Sequence, residues 1–219
     1  MKHCEENQFQ PKIVCNKGNI LLSELRMPRS NASVFNLQFD LNNLDTSKVN
    51  IDLLLTAQLY NLLEKVNGDL IEKIYILNSL DSVDILETDI CIVLKQIAKE
   101  VGIKQKYILF RSTKYLNKLN KSITYYNKDL IYEHKDLIPV YLNTLNLDNN
   151  KYEALTFTFG KTIITLSDTN SEKFINLKFS IDFQITMTDD IPMYMTNFIG
   201  LMFKKMFYNV KLFIDNLNS

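Results

Sequence analysis

The sequence predicts an α+β fold: a mostly antiparallel sheet, with a C-terminal three-strand meander packed by a long C-terminal helix and two further helices. Three observations predict it. From Phe174 to Met187, the apolar Ile175, Leu177, Phe179, Ile181, Phe183, Ile185 and Met187 alternate with Asn176, Lys178, Ser180, Asp182, Gln184 and Thr186. Successive side chains of a strand point to opposite faces, so this is one long strand with an apolar side and a wet side. Phe35, Leu37, Phe39 and Leu41 alternate in the same way. From Pro192 to Leu217, Met195, Phe198, Ile199, Met202, Met206, Val210, Phe213 and Leu217 instead fall three and four apart, on one side of a helix.

Taken in order, Met1 to Pro11 is polar, without the apolar run of a signal peptide, and reads as a flexible tail. Residues 12–217 read as a single domain, with a sub-division near Asn149 as the one candidate break. Lys12–Cys15 and Asn19–Leu22 flank Asn16-Lys17-Gly18, a turn-prone group that predicts a hairpin. Val49–Val66 carries Leu55, Leu59, Leu62 and Val66 at helical spacing, with Gly68 placed to end the helix. Lys73–Leu77 is a short strand candidate. Asp84–Val101, with Leu86, Ile90, Val93, Ile97 and Val101, predicts another helix, stopped by Gly102. Tyr107–Phe110 and Ile123–Tyr126 are strand-formers, an element follows Pro139, and Leu147–Asn150 is a turn. Ala154–Phe159 and Thr162–Leu166 straddle Gly160-Lys161, a pair that suits a type II′ hairpin. Asp189-Asp190 before Pro192 predicts an acidic cap and a first-turn proline for the last helix.

Composition excludes more than it assigns. Lysine plus arginine equals aspartate plus glutamate at 25 each, so the net field draws no particular partner. Three cysteines, Cys4, Cys15 and Cys91, lack metal-ligand spacing and read as reduced thiols of an intracellular protein, cytoplasmic or nuclear. Five glycines assemble no phosphate loop or dinucleotide fingerprint, and two histidines, His3 and His134, make no metal cluster. No cofactor is expected. Cys91 reads as an inert core thiol rather than a nucleophile, and Tyr132–Asp136 around His134 as a solvated charged loop rather than an acid–base centre. The expectation is therefore not an enzyme. Met193–Phe203, the longest apolar tract, is interrupted and too short to span a bilayer. About one residue in nine is asparagine, which fits an A+T-rich genome, and a virus is one such source.

Two constellations bear on binding. On the C-terminal helix, Met193, Leu201, Phe203 and Phe207 spread the apolar character beyond one stripe. Such a surface is buried in a two-sided core, offered to a protein partner, or turned to an apolar ligand lying between helix and sheet. The last arrangement resembles the helix-grip layout of lipid-binding domains, as a layout only. Between Val101 and Lys128, Lys104, Lys106, Arg111, Lys114, Lys118 and Lys121 are interleaved with tyrosines and Phe110, without an acid among them. Bases for phosphates and rings for stacking suit a single-stranded nucleic acid, although a solvated face is the simpler reading. Ala98, Gly102, Ile103 and Ile108 have helix-turn-helix spacing, against the strand preference of Tyr107–Phe110.

The leading functional expectation is a non-catalytic protein–protein interaction or assembly subunit, viral or regulatory, that docks or self-associates through Leu201, Phe203 and Phe207. The alternative is a nucleic-acid-binding accessory protein using the six basic residues. A third, weaker reading is an apolar small-molecule carrier; a small-molecule ligand is not otherwise expected.

Overall fold

The computed structural model describes residues 11–26, 32–81, 85–96, 104–133, 136–155, 157–169, 171–186 and 193–219. The chain begins with β1 (Lys12–Lys17), β2 (Ile20–Arg26) and β3 (Ala32–Asp45), each antiparallel to the last. Gly18 and Asn19 join β1 to β2 with φ of 67° and 55°, the paired left-handed residues of a tight hairpin turn. Gly18 also lies under the Tyr208 ring, where a Cβ would come within 2.5 Å of it.

Two short helices follow, α1 (Asp52–Leu55) and α2 (Gln58–Val66). A single helix is predicted over Val49–Val66, but the chain breaks at Thr56, which is extended (φ −129°, ψ 179°). Its hydroxyl donates back to the Asp52 carbonyl at 2.7 Å and accepts from the Gln58 N–H at 3.3 Å. A threonine that satisfies backbone groups this way competes with the helical ladder.

Next comes an antiparallel run of β4 (Ile71–Asp81), β5 (Ile85–Leu94), β6 (Gln105–Asn117) and β7 (Ser122–Asp129). The helix predicted over Asp84–Val101 is thus a strand as far as Leu94. Ile90, Ile92 and Leu94 pack into the inner core, while Cys91 and Val93 are buried in a second cluster on the other face. With both faces covered, alternation disappears from the sequence and an apolar run reads equally well as helix.

The helices α3 (Leu130–Glu133) and α4 (Leu137–Thr144) cover that second face. After them β8 (Tyr152–Ala154) pairs in parallel with the start of β6. β9 (Phe157–Asp168) then runs unbroken through Gly160-Lys161, where a hairpin turn is predicted. Gly160 is instead a ladder residue, between Asn127 of β7 and Phe183 of β10 (Phe174–Thr186). β10 pairs with β9 on one side and β3 on the other, so the sheet order is β1-β2-β3-β10-β9-β7-β6-β5-β4. The long strand read first from the sequence thereby joins the N-terminal hairpins to the rest.

The chain ends in α5 (Met193–Asn218), set against the inner face of β2 and β3 and against α2. The α+β class, the mostly antiparallel sheet and the long terminal helix all stand. Among the described residues no helix is long and apolar enough to cross a membrane. The Asp189-Asp190-Pro192 cap, His3, His134 and the residues Ala98, Gly102 and Ile103 of the helix-turn-helix spacing lie outside the described residues; Ile108 belongs to β6.

Candidate functional site, a cavity between the terminal helix and the sheet

Where α5 lies on the sheet, aromatic rings hold it. Phe35 stacks on Phe183 (centroids 5.3 Å apart) and Phe39 on Phe179 (4.6 Å), each pair directly opposed across β3 and β10. From α5, Phe203 sits 4.6 Å from Phe183 and Phe207 6.1 Å from Phe39. Aromatic pairs at these separations add to simple area burial. Gly200 permits the approach: a Cβ there would meet the Phe35 ring at 2.8 Å.

Asn67 ties the same helix to α2. It is fully buried, its Nδ2 donates to the carbonyls of Leu63 (2.9 Å) and Met206 (3.2 Å), and its Oδ1 accepts from Asn209 Nδ2 (2.9 Å). Lys204 of α5 is buried, with its ammonium donating to the Lys17 carbonyl at 2.8 Å.

Beside this clamp, helix and sheet part. They leave a cavity of about 100 Å³. Phe203, Met206 and Phe207 of α5 form one wall and Leu59, Tyr60 and Leu63 of α2 another. The sheet supplies Ile92, Ile108, Phe110, Tyr125, Ile181 and Phe183. The lining is overwhelmingly apolar, as small-molecule sites are, with a few convergent polar groups: Thr56, Tyr60, Tyr125, Asn127 and Thr162. The Tyr125 hydroxyl donates to the Leu55 carbonyl at 2.6 Å, and that of Tyr60 to Ser112 Oγ at 3.4 Å. Burial pushes both phenols up, Tyr60 to about 12, so each remains a neutral donor at physiological pH. Asp182 borders the cavity too, but its carboxylate accepts from Asn36 Nδ2 at 2.6 Å.

Phe203 and Phe207, singled out for partner docking, are on this wall, Phe203 half-buried and Phe207 8% exposed; Leu201 is 43% exposed on the outside of α5. The six basic residues fall differently. Strand alternation sends Lys106 and Lys114 to one face of β6 and Arg111 to the other. Arg111 grips Asp89 through Nε (2.7 Å) and Nη2 (3.0 Å). Lys106 pairs with Glu153 and Lys121 with Asp168, Lys104 donates to the Asn149 carbonyl at 2.8 Å, and Lys118 is exposed at the β6–β7 turn. Asp89 is 1% exposed and also accepts from the Tyr141 hydroxyl at 2.7 Å. Burial opposes its charge, but the Arg111 and Tyr141 hydrogen bonds outweigh it and hold the carboxyl below the usual range.

Sequence reasoning missed Asn127, Thr162 and Tyr60, which come from three elements with nothing in their spacing to link them. Periodicity could have placed Asn127 on the inner face, two residues beyond Tyr125.

No family model and no curated protein matches the sequence. Solved structures do match in fold. Human StAR-related lipid transfer protein 5 superposes with a TM-score of 0.61 at 8% identity, over 98% of this chain and 90% of that one. The human StarD13 (DLC2) lipid transfer and protein localization domain gives 0.60 at 9%, over 96% and 89%. A STAR-related lipid transfer protein from Xanthomonas axonopodis gives 0.57 at 12%, over 95% and 99%. These neighbours overturn the leading expectation of an assembly subunit of viral type, its nucleic-acid-binding alternative, and the expectation that a small-molecule ligand is improbable. The chain has the fold of lipid-transfer domains.

Proposed function

We propose that this chain is a non-catalytic intracellular carrier that encloses an apolar small molecule between α5 and the sheet. The observation that carries the reading is the cavity itself: apolar walls from α5, α2 and four central strands, closed on one side by the Phe35–Phe183–Phe203 stack. Burying an apolar ligand there releases its surface from water at roughly 25 cal/mol per Å². The names of the fold neighbours support the same ligand class. Apart from the Asp182 carboxylate, which Asn36 engages, the described lining offers phenols, hydroxyls and one amide, with neither imidazole nor thiol, which suits holding better than turnover. Free Cys15 and Cys91 suit a reducing compartment.

The test is displacement of a neutral fluorescent dye from the unaltered chain by long-chain alcohols and sterols, repeated with Thr162→Phe, which fills the cavity from β9. Saturable one-to-one binding, lost in a variant that still unfolds cooperatively, is the expected result. Equal binding by both proteins would place the ligand elsewhere.

A further inference from the structure

The polar groups on the inner face form a row. Thr88 of β5 lies opposite Ser112 of β6, Ser112 opposite Asn127 of β7, and Asn127 opposite Gly160 of β9. Strand alternation turns Asn127 inward with Ile123 and Tyr125. Ser112 receives the Tyr60 hydroxyl. No protein group donates to Asn127 Oδ1: among the described residues it is the one buried side-chain polar atom without a hydrogen-bond partner in the protein. A buried acceptor left unpaired is costly, and in native folds such an atom is rare and is completed by an ordered water, an ion or a bound molecule.

We propose that Asn127 Oδ1 accepts a hydrogen bond from a hydroxyl on the ligand, so the cargo is an uncharged amphipathic alcohol with an apolar body and one polar tip. This rests on the carrier reading and narrows it. Gly160, opposite Asn127 and without a side chain, lines the same cavity, as does Thr162 two residues further along β9. The described lining carries no lysine, arginine or glutamate to meet an ionic head group, and Asp182 is engaged by Asn36. A phosphate or carboxylate drawn into this cavity would lose its hydration without a compensating charge.

Calorimetric titration of the full chain with 1-decanol, decyl methyl ether and decanal tests it, in the unaltered protein and in Asn127→Leu. The unaltered protein should bind decanol about tenfold more tightly than the other two, the factor a well-made hydrogen bond to a buried neutral acceptor supplies. In Asn127→Leu the preference should vanish while ether affinity holds. Equal affinity for alcohol and ether in the unaltered protein overturns the proposal, as when an ordered water alone satisfies Asn127. So does decanal binding as tightly as decanol, because the amide nitrogen would then face the ligand. If none of the three binds, the carrier reading falls as well; if all bind without preference, only this inference does. The comparison in the unaltered protein stands on its own should Asn127→Leu fail to fold.

Discussion

Asn67 is the sharpest place to ask what holds the roof of the cavity on. It ends α2 and reaches α5 with a fully buried side chain that makes three hydrogen bonds, two donated and one accepted. Asn67→Ala removes all three. At about 0.5–1.5 kcal/mol net for each, the sum spans roughly 1.5–4.5 kcal/mol. The lower half is favoured, because the Met206 carbonyl lies mid-helix and Asn209 Nδ2 retains the Val66 carbonyl at 3.4 Å. A loss of ~2–3 kcal/mol is therefore expected from urea unfolding at constant m-value. Asn67→Asp should be worse than alanine, since it sets a carboxylate against two carbonyl oxygens. The same variants should release bound ligand faster, because the α2–α5 tie closes one side of the site. An alanine variant within about 0.5 kcal/mol of the parent, with ligand release unchanged, would refute the reasoning and leave α5 held by apolar contact alone.

Gly200→Leu should lower the melting temperature and weaken ligand binding together, since even a Cβ meets Phe35 at 2.8 Å; overpacking of this kind costs about 1–3 kcal/mol or more. Acid should destabilise the fold through Asp89. Its folded pKa lies below the unfolded value of about 3.9, so its contribution is present above that pH and is lost as pH falls through the folded value. Thermal unfolding from about pH 6 to about pH 2 should show that loss, and Asp89→Asn should remove much of it while lowering stability at neutral pH. Cys91 should resist thiol reagents in the native state and react on unfolding, as mass mapping of the modified peptide would reveal, because burial raises its thiol to about 12 and it is 1% exposed.

The elements legible in the sequence are those with one wet face. β10 and β3 alternate because their outer sides carry Lys178, Asp182, Asn36 and Gln38, and α5 shows its period because water lies on one side. β5 was illegible for the opposite reason, Ile90 and Ile92 being covered by the inner core and Cys91 and Val93 by the cluster under α4. Gly160-Lys161 carries turn chemistry into the middle of a strand, where the glycine instead lies opposite Asn127 and lines the cavity. The surplus apolar surface at Phe203 and Phe207 was visible, but what it faces was not. A cavity is a property of how α2, α5 and the sheet diverge, and no single segment records it.

Photocrosslinking with a diazirine-bearing long-chain alcohol, followed by peptide mapping, tests the cavity most directly. Binding between helix and sheet should place saturable label on the Phe203–Phe207 turn of α5 and on the inner residues of β7, β9 and β10, competed by unlabelled alcohol. Label confined to exposed sites such as Leu116 and Leu119 at the β6–β7 turn, or label that competitor does not displace, would contradict it.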